Sequence, residues 1–289
     1  AVIFLAIYAA TKFVVTERIT IDTRAAKELG VLLTPIETTL EEGIANKIIF
    51  PVETRLYNEC GTDGNFGVQK ISTSSKSGIG NAWEKPGGKV SFYSKYIFSR
   101  NVEQGKTFNV VSMPFEFPFK VTDVILVWSG DYCFVSPPQD IEEFVTNLNV
   151  QSINVTNSLT ECKVGSIKVC FDRTDKCDMF VNTQGKKVTK NNTNVYFEGN
   201  LVYGAIFADT KTYDCQVKRI MKRASSLASI YLEKTRDLTP LGCSSNMDSE
   251  LAAYSSKAGK IAGTNELYAV ATIAESLRGK NNGLVCKLF

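Results

Sequence analysis

The 289-residue sequence contains no histidine. That single absence removes Ser-His-Asp and Cys-His catalysis, imidazole proton shuttles and every metal site that uses histidine. An enzyme built from this chain would have to work with carboxylates, lysine, tyrosine or a Ser-Lys pair, and no Ser-x-x-Lys motif occurs. No two cysteines are separated by two residues, so the knuckle of structural zinc and the redox dithiol are both missing. A calcium loop of the Asp-x-Asp-x-Asp-Gly type is missing too. Acidic residues such as Glu116, Asp123, Asp131 and Asp140 occur singly, with no spacing that forces two carboxylates together. Neither sign of charge dominates: the formal net charge of +3 is spread along the chain and gives no footprint for nucleic acid. The expectation is a protein that is not an enzyme and carries no cofactor or metal. A carboxylate-dependent envelope hydrolase, assembled from distant segments, is the least favoured alternative.

Glycine-rich phosphate loops are also lacking. Gly78-x-Gly80 has no third glycine for a dinucleotide fingerprint, and Pro86-Gly87-Gly88-Lys89 lacks the spacing and the Ser/Thr of a P-loop. The stretch from Gly61 to Lys89, rich in Gly, Ser, Thr and Lys, therefore reads as a surface loop.

What is present begins at the N terminus. Residues 1–33, AVIFLAIYAATKFVVTERITIDTRAAKELGVLL, contain no proline, and their first glycine is Gly30. The opening eleven residues are uncharged; beyond them Lys12, Glu17, Arg18, Asp22, Arg24, Lys27 and Glu28 alternate with apolar residues. The pattern predicts one long helix, apolar all round at the tip and amphipathic below, reaching ~45 Å at 1.5 Å per residue. A bilayer span needs about 20 mostly apolar residues, and here Lys12 cuts the run and Glu17 and Arg18 stop it. A basic leader region is absent, so the stretch does not read as a secretory signal. Two accounts remain: an upstream part of a membrane anchor is missing, or the tip packs against copies of itself.

This N-terminal pattern resembles the archaeal type IV pilin-like proteins. Leu5 stands where many bacterial relatives carry glutamate, and Lys12 lies inside the apolar run. The rest of the chain, notably LVYGAIFADTKTYDCQVKRIMKR from Leu201 to Arg223, resembles uncharacterised archaeal envelope proteins. The resemblance implies a filament whose core is made of the N-terminal helices, with Val2, Ile3, Leu5, Ile7, Phe13 and Val14 buried between copies and Lys12 paired with a carboxylate such as Glu17 of another copy. The expected partner is thus the chain itself, with a membrane before assembly or through a truncated anchor. In the alternative reading, a membrane-anchored ectodomain acts as a binding or adhesion module.

The eight cysteines, Cys60, Cys133, Cys162, Cys170, Cys177, Cys215, Cys243 and Cys286, are even in number and widely spaced, which fits disulfides in an oxidising compartment. Their pairing is open. Asn154-Val155-Thr156 and Asn191-Asn192-Thr193 are N-glycosylation sequons. Together these features place the chain outside the cell or at its surface.

With 44% hydrophobic and 22% charged residues the chain can build a substantial core. Thr34 and Pro35 open a short second helix to Lys47, the hinge between stalk and head. Ile48 onward reads as a strand demoted to an edge, or interrupted, by Pro51. Val90 to Val135 is the most strand-like stretch, with VILVW as a central strand. There Phe115, Phe117 and Phe119 share one face at period two, either a core row or a docking face. DIEEFVTNLN forms a short helix, and a second β group runs to LVYGAIFAD, with a hairpin turn at Gln184-Gly185. From Thr212 the chain is helical, with Val217, Ile220, Met221, Ala224, Leu227, Ala228, Tyr231 and Leu232 on one face and Lys218, Arg219, Lys222 and Arg223 on a solvated one. The expected fold is α+β: a helical stalk over 1–46, a β-rich head over 47–212, and a C-terminal helical region over 213–289 packed on the head.

Overall fold

The structure, a computed structural model, describes residues 22–23, 25–26, 44–76, 82–173 and 176–289. The expected helix over residues 1–33 lies almost wholly outside the described residues, and so does most of that over 34–47, whose described end is not helical: Asn46 and Lys47 open a strand. Of the first, Asp22, Thr23, Ala25 and Ala26 are described and are helical. The remainder is a mixed α+β fold of two six-stranded sheets, a C-terminal helical layer and four disulfides.

Sheet 1 holds β1 (Asn46–Gly61), β2 (Val68–Ser75), β3 (Val90–Phe92), β4 (Ile97–Phe98), β5 (Val102–Glu116) and β6 (Lys120–Trp128), in the order β3-β2-β1-β5-β6-β4. Its pairs are antiparallel except β4 with β6. Sheet 2 holds β7 (Tyr132–Val135), β8 (Ile153–Thr156), β9 (Ile167–Phe171), β10 (Met179–Asn182), β11 (Lys187–Lys190) and β12 (Thr193–Tyr196), in the order β12-β11-β10-β9-β7-β8. Strands β8, β7, β9 and β10 run parallel, and β11 and β12 return as hairpins. The helix α1 (Gln139–Asn147) makes the crossover from β7 to β8, burying Ile141 and Val145. Four more follow: α2 (Leu201–Phe207), α3 (Thr210–Leu238), α4 (Asp248–Gly259) and α5 (Leu267–Asn282).

Three expectations are corrected. Val68–Ser75 is an interior strand of sheet 1 instead of a loop, because its inward polar side chains meet partners from far along the chain: Gln69 bonds Asn58 and Gln216, and Thr73 bonds the Asp22 carbonyl. For Ile48 onward the edge alternative is corrected and the interruption holds: β1 is interior, between β2 and β5, and Pro51 falls in the register shift between Ile49 and Thr54, where a missing N–H costs no ladder bond. LVYGAIF is the helix α2 and not a strand; all seven residues are buried, so no polar face marks the helical period.

The core lies between the sheets and the helices. The Phe115–Phe117–Phe119 row is 2%, 5% and 3% exposed and packs against Tyr254, Tyr231 and Phe289, so it is a core row and not a free docking face. Helix α3 buries Val217, Ile220, Met221, Ala224 and Ala228, as its periodicity predicts. Its basic residues do not form a solvated face. Arg219 is fully buried, Lys222 Nζ donates to the Thr62 and Gly64 carbonyls, Arg223 Nε donates to the Val121 carbonyl, and Lys218 pairs with Asp214. Arg219, Lys222 and Arg223 bind the helix to the loops and strand starts of sheet 1, while the Lys218 pair stays within the helix.

The cysteines pair as Cys60–Cys215, Cys133–Cys162, Cys170–Cys177 and Cys243–Cys286, with no free thiol. The first joins sheet 1 to α3 across 155 residues; the third closes a separation of 7. Chain-entropy reasoning assigns about 5 kcal/mol to the long closure and under about 3 kcal/mol to the short one.

Lys190, on the core side of β11, is also buried. Its ammonium donates to the carbonyls of Ala205, at 2.5 Å, and of Ala208, which belong to the last turn and cap of α2. The position suits a cation, since the final carbonyls of a helix have no partners of their own. Desolvation nonetheless lowers the Lys190 pKa to about 8, against the opposing pull of Asp209.

Two predictions follow from these features. Removing Cys60 and Cys215 together as serines lowers unfolding stability in urea by more than the paired removal of Cys170 and Cys177; the reverse order contradicts the loop-length argument. For Lys190, the unfolded chain keeps its proton to about pH 10.4 while the folded chain releases it from about 8, so stability rises with pH across that window by roughly 2–3 kcal/mol. Urea midpoints should show that rise between about pH 8 and 10 in the native sequence and not in Lys190→Met.

Candidate functional site

The described part of the N-terminal segment has a built seat on sheet 1. Ala26 is fully buried in a cluster with Leu56, Ile71, Phe108, Val110, Ile125 and Val127. Thr73 Oγ1 donates to the Asp22 carbonyl at 2.8 Å, and the Ser75 N–H and hydroxyl reach Asp22 Oδ2 at 3.4 Å each. Gly88 N donates to Thr23 Oγ1 at 2.6 Å. The loop that carries Gly88 is itself tied to β2, since Gly87 N donates to the Thr73 carbonyl at 2.9 Å.

The glycines are required by this approach. A Cβ on Gly87 would sit 2.6 Å from the Thr23 nitrogen and 2.9 Å from the Asp22 carbonyl carbon, both backbone atoms that cannot turn aside. One on Gly88 would crowd the Thr23 side chain at 3.1 Å. Pro86-Gly87-Gly88 is therefore a cradle for a helical backbone, lying over the face of sheet 1 whose interior the same segment completes.

The residues expected to carry assembly, Val2, Ile3, Leu5, Ile7, Lys12, Phe13, Val14 and Glu17, lie outside the described residues. Of the two sequons, Asn191 and Asn192 form the exposed two-residue tip of the β11–β12 hairpin, both at positive φ. Asn154 is half-buried in β8, and its amide donates to the Glu161 carbonyl at 3.3 Å. A bulky modification has room at Asn191 and would have to displace that bond at Asn154.

The fully buried carboxylate of Glu103 is committed within the fold. Arg100 grips it with Nε at 2.8 Å and Nη2 at 2.6 Å, and the Ser129 hydroxyl donates at 2.7 Å. That bond to Glu103 raises the Arg100 pKa above the ordinary arginine value. Tyr132 packs nearby, and burial pushes its hydroxyl above the ordinary tyrosine range. Among the described residues no group of three His, Cys, Asp or Glu side chains could hold a metal ion, and no helix is long and apolar enough to cross a membrane.

The seat escapes a reading of the sequence because its halves are 65 residues apart at Thr23 and Gly88. The glycine pair was visible, but only as turn chemistry. Gly87→Ala should shift the helical segment off sheet 1 and lower stability by about 1–3 kcal/mol, the range of core overpacking. Urea unfolding checks the size, and amide exchange at Ser75 and Gly88 checks the location; unchanged exchange at both would rule out the seat. Compared with known proteins, the chain matches no family model, no curated protein and no solved structure.

Proposed function

We propose that this chain is a structural subunit of an extracellular pilus-like filament, polymerising through its apolar N-terminal residues with the two-sheet body exposed as a head. The observation that carries the reading is the seat of Asp22–Ala26 on sheet 1. It ties the body to the segment immediately downstream of the apolar run of the sequence. Four disulfides suit an oxidising exterior. The archaeal type IV pilin-like resemblance of residues 1–33 points the same way.

In this mechanism a long helix brings Val2, Ile3, Leu5, Ile7, Phe13 and Val14 against neighbouring copies. Each buried side chain contributes roughly 1.5–3 kcal/mol before entropy is subtracted. Lys12 enters the same interior and needs the Glu17 carboxylate of another copy, because a buried charge without a partner is strongly destabilising. The head stays in solvent, available for surface contact.

Electron microscopy in detergent-free buffer tests the proposal. The native chain should give regular filaments with a helical core, and a variant carrying Leu5→Asp and Ile7→Asp should give none while keeping the near-ultraviolet circular dichroism of the folded head. Filaments from the double variant, or native particles dispersed singly in the absence of detergent, would overturn it; the latter result favours the anchored ectodomain.

A further inference from the structure

A cleft of about 620 Å³ lies on sheet 2, away from the seat on sheet 1, at the carboxyl ends of the parallel strands β9 and β10. Its lining comes from the residues that follow β9, Asp172 and Arg173, and from the β10–β11 hairpin.

The cleft wall is built by the β10–β11 hairpin. Phe180 pairs with Thr189 and Asn182 with Lys187, so these four side chains project from one face of the hairpin, opposite the core-facing Val181 and Val188. That face of sheet 2 is covered by the Cys133–Cys162 and Cys170–Cys177 bridges, and Phe180 packs at the edge of the same cluster while lining the cleft. Phe180 thus offers a fixed aromatic surface in an otherwise polar pocket.

The polar groups divide into those already engaged and those still available. Asp172 accepts the Thr183 N–H at 2.9 Å and the Thr183 hydroxyl at 2.5 Å, so both carboxylate oxygens are occupied. Arg173 uses Nη1 on Ser136 Oγ and the Asn157 carbonyl, each at 3.2 Å. The Asn182 amide oxygen accepts the Gly185 N–H, which turns its donors outward. The Lys187 ammonium has no hydrogen-bond or ion-pair partner among the described residues.

We infer that this cleft binds a saccharide bearing a carboxylate, of the uronic acid type. The chemistry of the lining selects that class. An aromatic surface takes the apolar C–H face of a pyranose ring, while the Asn182 amide donates to ring hydroxyls and the Thr189 oxygen, whose proton goes to Asn194 Oδ1 at 2.6 Å, accepts from them. The Lys187 ammonium, without a side-chain partner among the described residues, lines the cleft and is placed for the sugar carboxylate. The cleft is complete within one chain, so the inference does not rest on filament assembly.

The test titrates the oxidised full chain with trigalacturonate and, separately, with neutral galactotriose, followed by isothermal calorimetry. Trigalacturonate should bind at least about tenfold more tightly than the neutral sugar. Lys187→Gln should erase that preference and leave the weak neutral binding unchanged, and Phe180→Leu, which keeps an apolar side chain in the cluster, should weaken both ligands about tenfold. Lys120→Gln, a cation remote from the cleft, should change nothing. Absence of saturable trigalacturonate binding at millimolar concentration overturns the inference. So does binding that survives Lys187→Gln and Phe180→Leu, or that falls equally with Lys120→Gln, since either result describes general charge attraction.

Discussion

Arg219 places a guanidinium in the interior between sheet 1 and α3, and the fold depends on how that charge is satisfied. Among the described residues no carboxylate pairs with it. Its nitrogens donate instead to the Phe66, Tyr93 and Lys95 carbonyls at 2.8–3.0 Å and to Gln216 Oε1 at 2.7 Å, with the plane over the Tyr96 ring at 4.7 Å. Desolvation lowers its pKa to about 10. Because burying a cation is so unfavourable, the two irregular segments that supply those carbonyls, the β1–β2 and β3–β4 connections, must hold their positions for the side chain to stay. Gly67 shows how closely they fit: a Cβ there would lie 2.9 Å from Arg219 Cγ and 2.3 Å from the Gly61 carbonyl. Cys215 and Lys222 flank Arg219 along α3, and both reach the same end of sheet 1. Helix α3 is thereby fixed to sheet 1 by one covalent bond and a row of cation-to-carbonyl bonds.

Sheet 2 follows a different rule. Parallel sheets ordinarily have both faces covered, because crossover helices fall on each side. Here the inner face packs on α2 and α3 through Phe134, Phe171 and Phe207, while the outer face carries Cys133, Val135 and Cys170 beneath two disulfides. The bridges do for that face what a second helical layer does elsewhere: they exclude water from a few apolar side chains. They leave the neighbouring hairpin uncovered, which is why the cleft forms there.

The legible parts of this fold were those whose partners lie nearby or whose burial is one-sided. The α3 stripe, α1, the two last helices and the Gln184-Gly185 hairpin all declare themselves by local period or turn chemistry. What stayed hidden had distant partners or no exposed face. Gln69 and Gln216 are 147 residues apart, so the buried polar strand β2 had nothing local to distinguish it from a loop. LVYGAIF, buried on every side, carried no period at all. Arg219 and Lys222 looked solvated because charge usually is, and only the carbonyls of remote loops explain their burial. The cleft illustrates the same limit: Asn182 and Lys187 are ordinary hairpin residues until the register places them opposite each other.

The Cys60–Cys215 bridge also sets how the molecule answers to tension. A pull between the two ends of the chain runs along β1 and meets the bridge at the strand's end. From there the load crosses one sulfur–sulfur bond into α3 and bypasses the 155-residue loop between, which contains both the aromatic core row and the whole of sheet 2. Roughly 500 Å of chain contour is thereby excluded from extension. The body behaves under strain as a short covalent link with a folded domain hung beside it, and the parts that face solvent are shielded from the force that the rest transmits.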